Sequence, residues 1–325
     1  MQAWLCEETT GPSGLQWRDV PTPAPQAGEV LIEVKAASLN FPDLLVTEGK
    51  YQFKPKTPFV PGSEYAGVVA AVGPGVSHVK VGQSVAAFAG IGGFATHAIA
   101  PAHVVMPLPD GFTFEHAAAF LCTYGTMHHG LMDRGALQSG ETVLVLGAAG
   151  GIGTASIQIA LAAGAQVIAA ASTDEKCAVC QTLGANATVN YSEGNFRDRL
   201  KALTDGKGPD VIVDPVGGDL SEQAFRSIAW RGRHLVIGFA DGKIPSLPLN
   251  LPLLKGASIV GVFWGEFAKR EPMRNATALM QLAQWYAQGR IKPVVHTQMS
   301  MKELPAAFDL MTQRRVVGKL VLTNA

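Results

Sequence analysis

The chain has 325 residues, more than one hydrophobic core usually serves, so two domains with a substantial interior are expected. Apolar residues make up 47% of it and charged residues 16%, a mixture that excludes a disordered chain. Lysine plus arginine equals aspartate plus glutamate at 26 each, so there is no basic excess to neutralise a phosphate backbone, and nucleic acid is not an expected partner.

The first residues, Met1-Gln2-Ala3-Trp4-Leu5, show no charged stretch leading into an apolar one, which makes the cytoplasm the expected location. Four cysteines fit a reducing compartment better than a disulfide framework. Short β-branched runs at 29–36, 66–72 and 84–87, separated by turns rich in proline and glycine, predict a mainly β domain of open-barrel type. From residue 142 the pattern changes. Strands are expected at 142–146, 166–171, 187–189, 211–214, 234–238 and 258–262, with helical spacing between the first five, as in 154–163 closed by Gly164 and 174–183 closed by Gly184. Strands alternating with helices imply right-handed crossovers and a doubly wound parallel sheet of Rossmann type. No charge occurs from Thr142 to Thr173, but Gly147, Gly150, Gly151, Gly153 and Gly164 interrupt the run and a strand buried on both faces is equally apolar, so no membrane span is expected. A helix near 275–288 and an alternating run at 316–322 are expected to return to the first domain. The expected division is therefore 1–119 with 264–325 as a discontinuous substrate domain, and 120–263 as the nucleotide-binding domain.

Directly after the strand at 142–146 comes Gly147-Ala148-Ala149-Gly150-Gly151-Ile152-Gly153, followed by an amphipathic helical run. Strand, tight glycine turn and helix N-terminus form the context a dinucleotide fingerprint requires, although Ala148 stands where the usual G-x-G-x-x-G has a glycine. Gly150 would let the backbone approach a pyrophosphate and Gly153 would let helix and strand pack closely, with N–H groups of the first helical turn, at Gly151 and Ile152, facing the anion. The second strand ends Ala169-Ala170-Ala171-Ser172, without the acidic residue that would hold ribose hydroxyls. Ser172, Lys176 and Tyr191 can instead donate to a 2′-phosphate, so NADPH is expected over NADH. Asp174 nearby weakens the local positive field.

These segments resemble the quinone oxidoreductase (zeta-crystallin-like) family, a zinc-free branch of the medium-chain dehydrogenase/reductase superfamily. The resemblance is carried by Asn40-Phe41-Pro42-Asp43-Leu44-Leu45, Pro61-Gly62-Ser63-Glu64-Tyr65-Ala66-Gly67, the glycine turn, Val189-Asn190-Tyr191 and Asp214-Pro215-Val216-Gly217-Gly218. It implies a discontinuous catalytic domain of the alcohol-dehydrogenase type beside the Rossmann-type domain, and a homodimer joined near the strand at 258–262. It also implies that Asn40 and Thr126 lie beside the nicotinamide and its ribose, and that Gly238, Phe239, Phe263 and Trp264 line the nicotinamide end. Zinc alcohol dehydrogenases of the same superfamily carry a cysteine where this chain has Asn40 and a histidine where it has Ser63, so no zinc is expected.

Without a Lewis acid, the expected substrate already accepts hydride readily, a quinone or an α,β-unsaturated carbonyl compound reduced with Asn40 orienting the ring or the acceptor. Tyr51 stands where enoyl-thioester reductases of the superfamily carry a tyrosine proposed as proton donor, which makes enoyl-thioester or enone reduction the alternative, with packing at a loop edge equally compatible. A non-catalytic NADPH-binding protein is the remaining alternative. Cys177-x-x-Cys180, His128 and His129 are expected to be packing residues, and no lysine or arginine in the flanking segments identifies a partner for Asp43 or Glu64.

Overall fold

The computed structural model describes residues 1–324. The chain divides into two compact units, Met1–Cys122 together with the chain from Pro293 onward, and Thr123–Lys292.

The first unit is mainly β. Strands β1 (Gln2–Leu5) and β2 (Gln16–Asp19) pair antiparallel with each other. Strands β3 (Glu29–Ser38), β4 (Glu64–Val72), β5 (Ser84–Phe88), β6 (His97–Pro101) and β7 (Val105–Pro107) belong to a second, seven-stranded sheet. Its longest member, β3, pairs antiparallel with β4 on one side and with β6 on the other. From Ile32 to Lys35 burial alternates along β3, with Ile32 and Val34 buried in the core and Glu33 and Lys35 half exposed. This period of two is why the strand was legible in the sequence, and each such buried side chain contributes about 1.5–3 kcal/mol. A short helix, Phe41–Thr47, follows β3 at once and is capped by Asn40, whose backbone N–H is bonded by the Asp43 carboxylate.

The second unit is the doubly wound domain. Strands β8 (Thr142–Leu146), β9 (Gln166–Ala171), β10 (Ala187–Asn190), β11 (Val211–Asp214), β12 (Arg233–Val236) and β13 (Ser258–Gly261) form one sheet in the order β10-β9-β8-β11-β12-β13. Every neighbouring pair is parallel. Val143, Leu144, Val145 and Leu146 are all fully buried, so β8 is covered on both faces and reads as uniformly apolar rather than alternating. Helices Gly151–Ala162, Asp174–Thr182, Phe196–Leu203, Gly218–Arg226 and Asn250–Lys255 make the crossovers. The strand expected to reach residue 238 stops at Val236, because the N–H groups of Ile237 and Gly238 turn to the carbonyl of Asp214 at 3.0 and 3.4 Å.

The chain from Pro293 returns to the first unit with β14 (Val295–Ser300) and β15 (Lys319–Thr323), parallel to each other, and β15 pairs antiparallel with the end of β3. The expected return at residue 264 is corrected by this arrangement, since residues 264–292 pack within the second unit. The helix Pro272–Ala287 buries Leu282 and Trp285 there, and its Gln281 and Arg274 bond His128 and Asp133 at 2.6 and 2.7 Å. Its apolar stripe is thus satisfied by the segment that opens the same unit. Among the described residues no helix is long and apolar enough to cross a membrane.

Candidate functional site

The strand order of the second unit reverses between β8 and β11, and open α/β sheets bind ligands at the carboxyl ends of the strands beside such a reversal. Two loops meet there. After β8 the chain makes the glycine turn, and Gly150, with an extended backbone (φ −78°, ψ 176°), caps the helix Gly151–Ala162 without a side-chain bond. A Cβ built on Gly150 would meet only the carbonyl oxygen of Gly147, at 3.4 Å, so the space above it is open. One on Gly153 would lie 2.4 Å from the carbonyl oxygen of Ala148, so only glycine lets the helix pack this closely on the turn. No acidic residue stands in the first helical turn, and its N–H groups at Gly151, Ile152 and Gly153 have no intrahelical acceptor by helix geometry. This is a cradle suited to a diphosphate.

After β11, Asp214 organises the facing loop. Its Oδ1 accepts the N–H groups of Val216 and Gly217, each at 2.9 Å. Its Oδ2 accepts the Ser221 hydroxyl and lies 3.0 Å from His234 Nε2. Burial acts to raise the Asp214 carboxyl, but the bonds from His234, Gly217 and Ser221 outweigh it and hold the group below the ordinary carboxylate range. Gly238 and Phe239 join the same loop system, with Ala240 N–H bonded to the Pro215 carbonyl at 3.1 Å and Phe239 packed close to Gly217.

At the end of β9, Lys176 Nζ donates to Ser172 Oγ at 3.4 Å, so two of the expected donors are adjacent. Ser192, which was not anticipated, joins them through a 3.0 Å bond from its hydroxyl to the Ser172 carbonyl, next to the half-buried Tyr191. The neighbouring acids have partners of their own. Asp174 Oδ1 accepts Asn190 Nδ2 at 2.9 Å, and Glu193 pairs with Arg199 at 2.7 Å. Thr126 is half buried on the helix Leu121–His128. Phe263 is largely exposed, whereas Trp264 is buried against Gly125 and donates to Asn275 Oδ1 at 2.9 Å, the environment of a packing residue. His128 and His129 are buried, the latter stacked on Phe267 at 4.0 Å, and Cys177 and Cys180 are buried free thiols.

The remaining expected residues, Asn40 and Tyr51, belong to the first unit, where Asn40 is part of a buried polar cluster. Asn40 Nδ2 donates to Glu64 Oε2 at 3.2 Å and to Ser63 Oγ at 3.4 Å, and Asn40 Oδ1 accepts Lys319 Nζ. Glu64, fully buried, also accepts the Ser38 hydroxyl at 3.0 Å and the Cys122 N–H at 2.8 Å. Burial pushes the Glu64 carboxyl up, against Lys319 and these donors. Burial likewise pushes Asp43 up to about 6, although its oxygens accept the N–H groups of Asn40 and Ser63. The partner that the flanking sequence could not identify is Lys319, the one charge in the apolar run Val316-Val317-Gly318-Lys319-Leu320-Val321-Leu322. Tyr51 is half buried against the core, and burial raises its phenol, which keeps the hydroxyl protonated. The donor set does not suit zinc. Asn40 and Ser63 are neutral oxygen and nitrogen donors already engaged, and a lysine ammonium on the Asn40 amide would repel a divalent cation. Among the described residues no group of three or more His, Cys, Asp and Glu side chains is placed to hold a metal ion.

A two-unit oxidoreductase architecture with a dinucleotide cradle is what the fold and the turn define. Residues 26–110 match the alcohol dehydrogenase GroES-like domain family and residues 151–282 the zinc-binding dehydrogenase family. Quinone oxidoreductase-like protein 2 of Bos taurus is 37% identical over 99% of this chain and 97% of its own length, and the quinone oxidoreductase of Rattus norvegicus is 33% identical over 99% and 97%. The Escherichia coli quinone oxidoreductase in complex with NADPH superposes with a TM-score of 0.93 at 27% identity, covering all of both chains. The chain belongs to the quinone oxidoreductase family of the medium-chain dehydrogenase/reductase superfamily, and it is an oxidoreductase.

Proposed function

We propose that the protein catalyses NADPH-dependent, zinc-independent reduction of quinones or related activated carbonyl compounds. The observation that carries this reading is the open glycine turn at the reversal of strand order, followed one strand later by Ser172 and Lys176 side by side. The N–H groups of Gly151, Ile152 and Gly153 would hold the diphosphate, and Ser172, Lys176 and Tyr191 the 2′-phosphate. The bound dinucleotide supplies the hydride. Thr126, Gly238, Phe239 and Phe263 are assigned to its nicotinamide half, together with Asn40. A donor set unsuited to zinc leaves hydrogen bonds and solvent to meet the developing oxyanion, which favours acceptors that are already electrophilic. A cytoplasmic location accords with four free cysteines.

The test is NADPH consumption with benzoquinone, phenanthrenequinone, an enone and crotonyl-CoA, each repeated with NADH. Quinone turnover with a preference for NADPH is expected, and its absence with both quinones would overturn the reading. A second reading, enoyl-thioester or enone reduction, is supported by Tyr51, whose protonated phenol is a proton source near Asp43 and Cys122. Full turnover of crotonyl-CoA by Tyr51→Phe would remove it.

We infer a homodimer from the free edge of the parallel sheet. Strand β13 ends the sheet with Ile259 exposed, and Trp230, Leu253 and Leu254, each at least 70% exposed, belong to the same unit. An unpaired strand edge accompanied by exposed large apolar side chains suits two-fold pairing with a second copy.

A further inference from the structure

Lys319 is 5% exposed, and burying an ammonium is unfavourable unless each of its donors finds an acceptor. An ammonium has three donors; two acceptors bond this one and a carboxylate oxygen lies within ion-pair range. The Leu39 carbonyl lies at 2.8 Å, Asn40 Oδ1 is bonded, and Glu64 Oε2 is 3.9 Å away. Lys319 opens β15, which lies against the end of β3, so strand pairing delivers the ammonium to the residues that follow β3. It is the only basic residue among the groups that the cluster brings together.

These contacts leave Asn40 one self-consistent orientation. A lysine only donates and a carboxylate only accepts, so the amide oxygen must face Lys319 and the amide nitrogen must face Glu64. Both hydrogens on that nitrogen are then used, one toward Glu64 Oε2 and one toward Ser63 Oγ. Neither amide hydrogen is left over, so Asn40 has no proton to donate to an oxyanion.

We propose that Lys319 is the positioning residue for Asn40, fixing its amide with the oxygen toward the ammonium and the nitrogen toward Glu64 and Ser63, the orientation in which it meets the bound cofactor or substrate. The orientation of the amide does not depend on the reaction catalysed, whereas its effect on turnover rests on the quinone-reductase reading.

The experiment therefore has two arms. In the unliganded protein, the Asn40 side-chain NH2 should give two distinct proton resonances, protected from solvent exchange and assigned by their loss in Asn40→Ala. Lys319→Met should bring exchange at least about tenfold faster, as expected when a bonded amide is released. Because Lys319→Met leaves Glu64 without its cation and could prevent folding, Lys319→Met/Glu64→Gln, which removes both charges, is measured beside it. Unchanged protection of the amide in that pair variant would overturn the proposal. In the second arm, kcat for quinone reduction should fall by about 10- to 100-fold in Lys319→Met, the scale expected when a positioned group is displaced. Asn40→Ala/Lys319→Met should then lie within about twofold of Asn40→Ala alone, because coupled residues are not additive. Additive losses would show that Lys319 acts independently of Asn40 and would also overturn the proposal. If the parent enzyme reduces no quinone, the functional reading fails while the resonance measurement still decides the orientation of the amide.

Discussion

A Gly150→Ala variant is expected to fold as the parent does and to bind NADPH about 10- to 100-fold more weakly. The added methyl group meets nothing in the protein closer than the Gly147 carbonyl oxygen at 3.4 Å, an ordinary contact, and the φ of −78° suits alanine. Losing glycine's freedom in the unfolded chain stabilises by about 0.4–1 kcal/mol. Alanine is a poorer N-cap than glycine by about 0.5–1 kcal/mol, so the two effects nearly cancel. With about 2–4 °C of Tm per kcal/mol for a unit of this size, the shift in melting temperature should stay within about 3 °C. The same methyl group occupies the space through which a diphosphate would reach the N–H groups of Gly151 and Ile152. Displacing one charge-assisted bond costs about 1.5–3 kcal/mol, which is the stated loss of affinity. Gly153→Ala is the contrasting control. Its Cβ would stand 2.4 Å from the Ala148 carbonyl oxygen and 2.5 Å from the Ala148 Cα, both backbone atoms, so the helix must shift away from the turn at a cost of about 1–3 kcal/mol. Melting curves with titration of NADPH fluorescence measure both quantities. Unaltered NADPH affinity in Gly150→Ala would refute the assignment of the glycine turn to the diphosphate.

Lys176→Ala should weaken NADPH binding by roughly tenfold and leave NADH binding unchanged, since only the former carries the phosphate that Lys176 is proposed to meet; equal losses for both would remove the residue from the pocket. The Asp43 carboxyl, whose pKa burial raises to about 6, should titrate with that midpoint by carbon NMR. A carboxyl raised in the folded state contributes stability that is fully present below its unfolded value near 4 and is lost as pH rises through about 6. The stability of the parent relative to Asp43→Asn should accordingly fall by about 2 kcal/mol between pH 4 and pH 6. Leu253→Asp should convert a dimer into a monomer in sedimentation velocity without changing the far-ultraviolet spectrum, and a parent that is monomeric at micromolar concentration would overturn the pairing of sheet edges.

Much of the second unit was legible along the chain, for a physical reason. Strands β8, β9 and β11 are covered on both faces, so they appear as unbroken apolar runs, and Gly153 in the following helix is demanded by a backbone contact with Ala148 only a few residues away. In the first unit, β1, β2, β6 and β7 are only three to five residues long, which left them without a local signal, and β6 pairs with a strand some 70 residues earlier in the chain. The helix Pro272–Ala287 displayed its own apolar stripe but not the surface that covers it, and only the packed structure assigned it to the second unit.

The same distinction holds for the site. Local spacing was enough to place the glycine turn, because strand, turn and helix N-terminus are contiguous, while the expectation about Asn40 and Ser63 came from the resemblance. What holds Asn40 was decided by tertiary structure alone. Glu64 and Lys319 reach it from strands far apart in the chain, Lys319 from 279 residues away, and a buried carboxylate and ammonium can be recognised as partners only when strand pairing has brought them together.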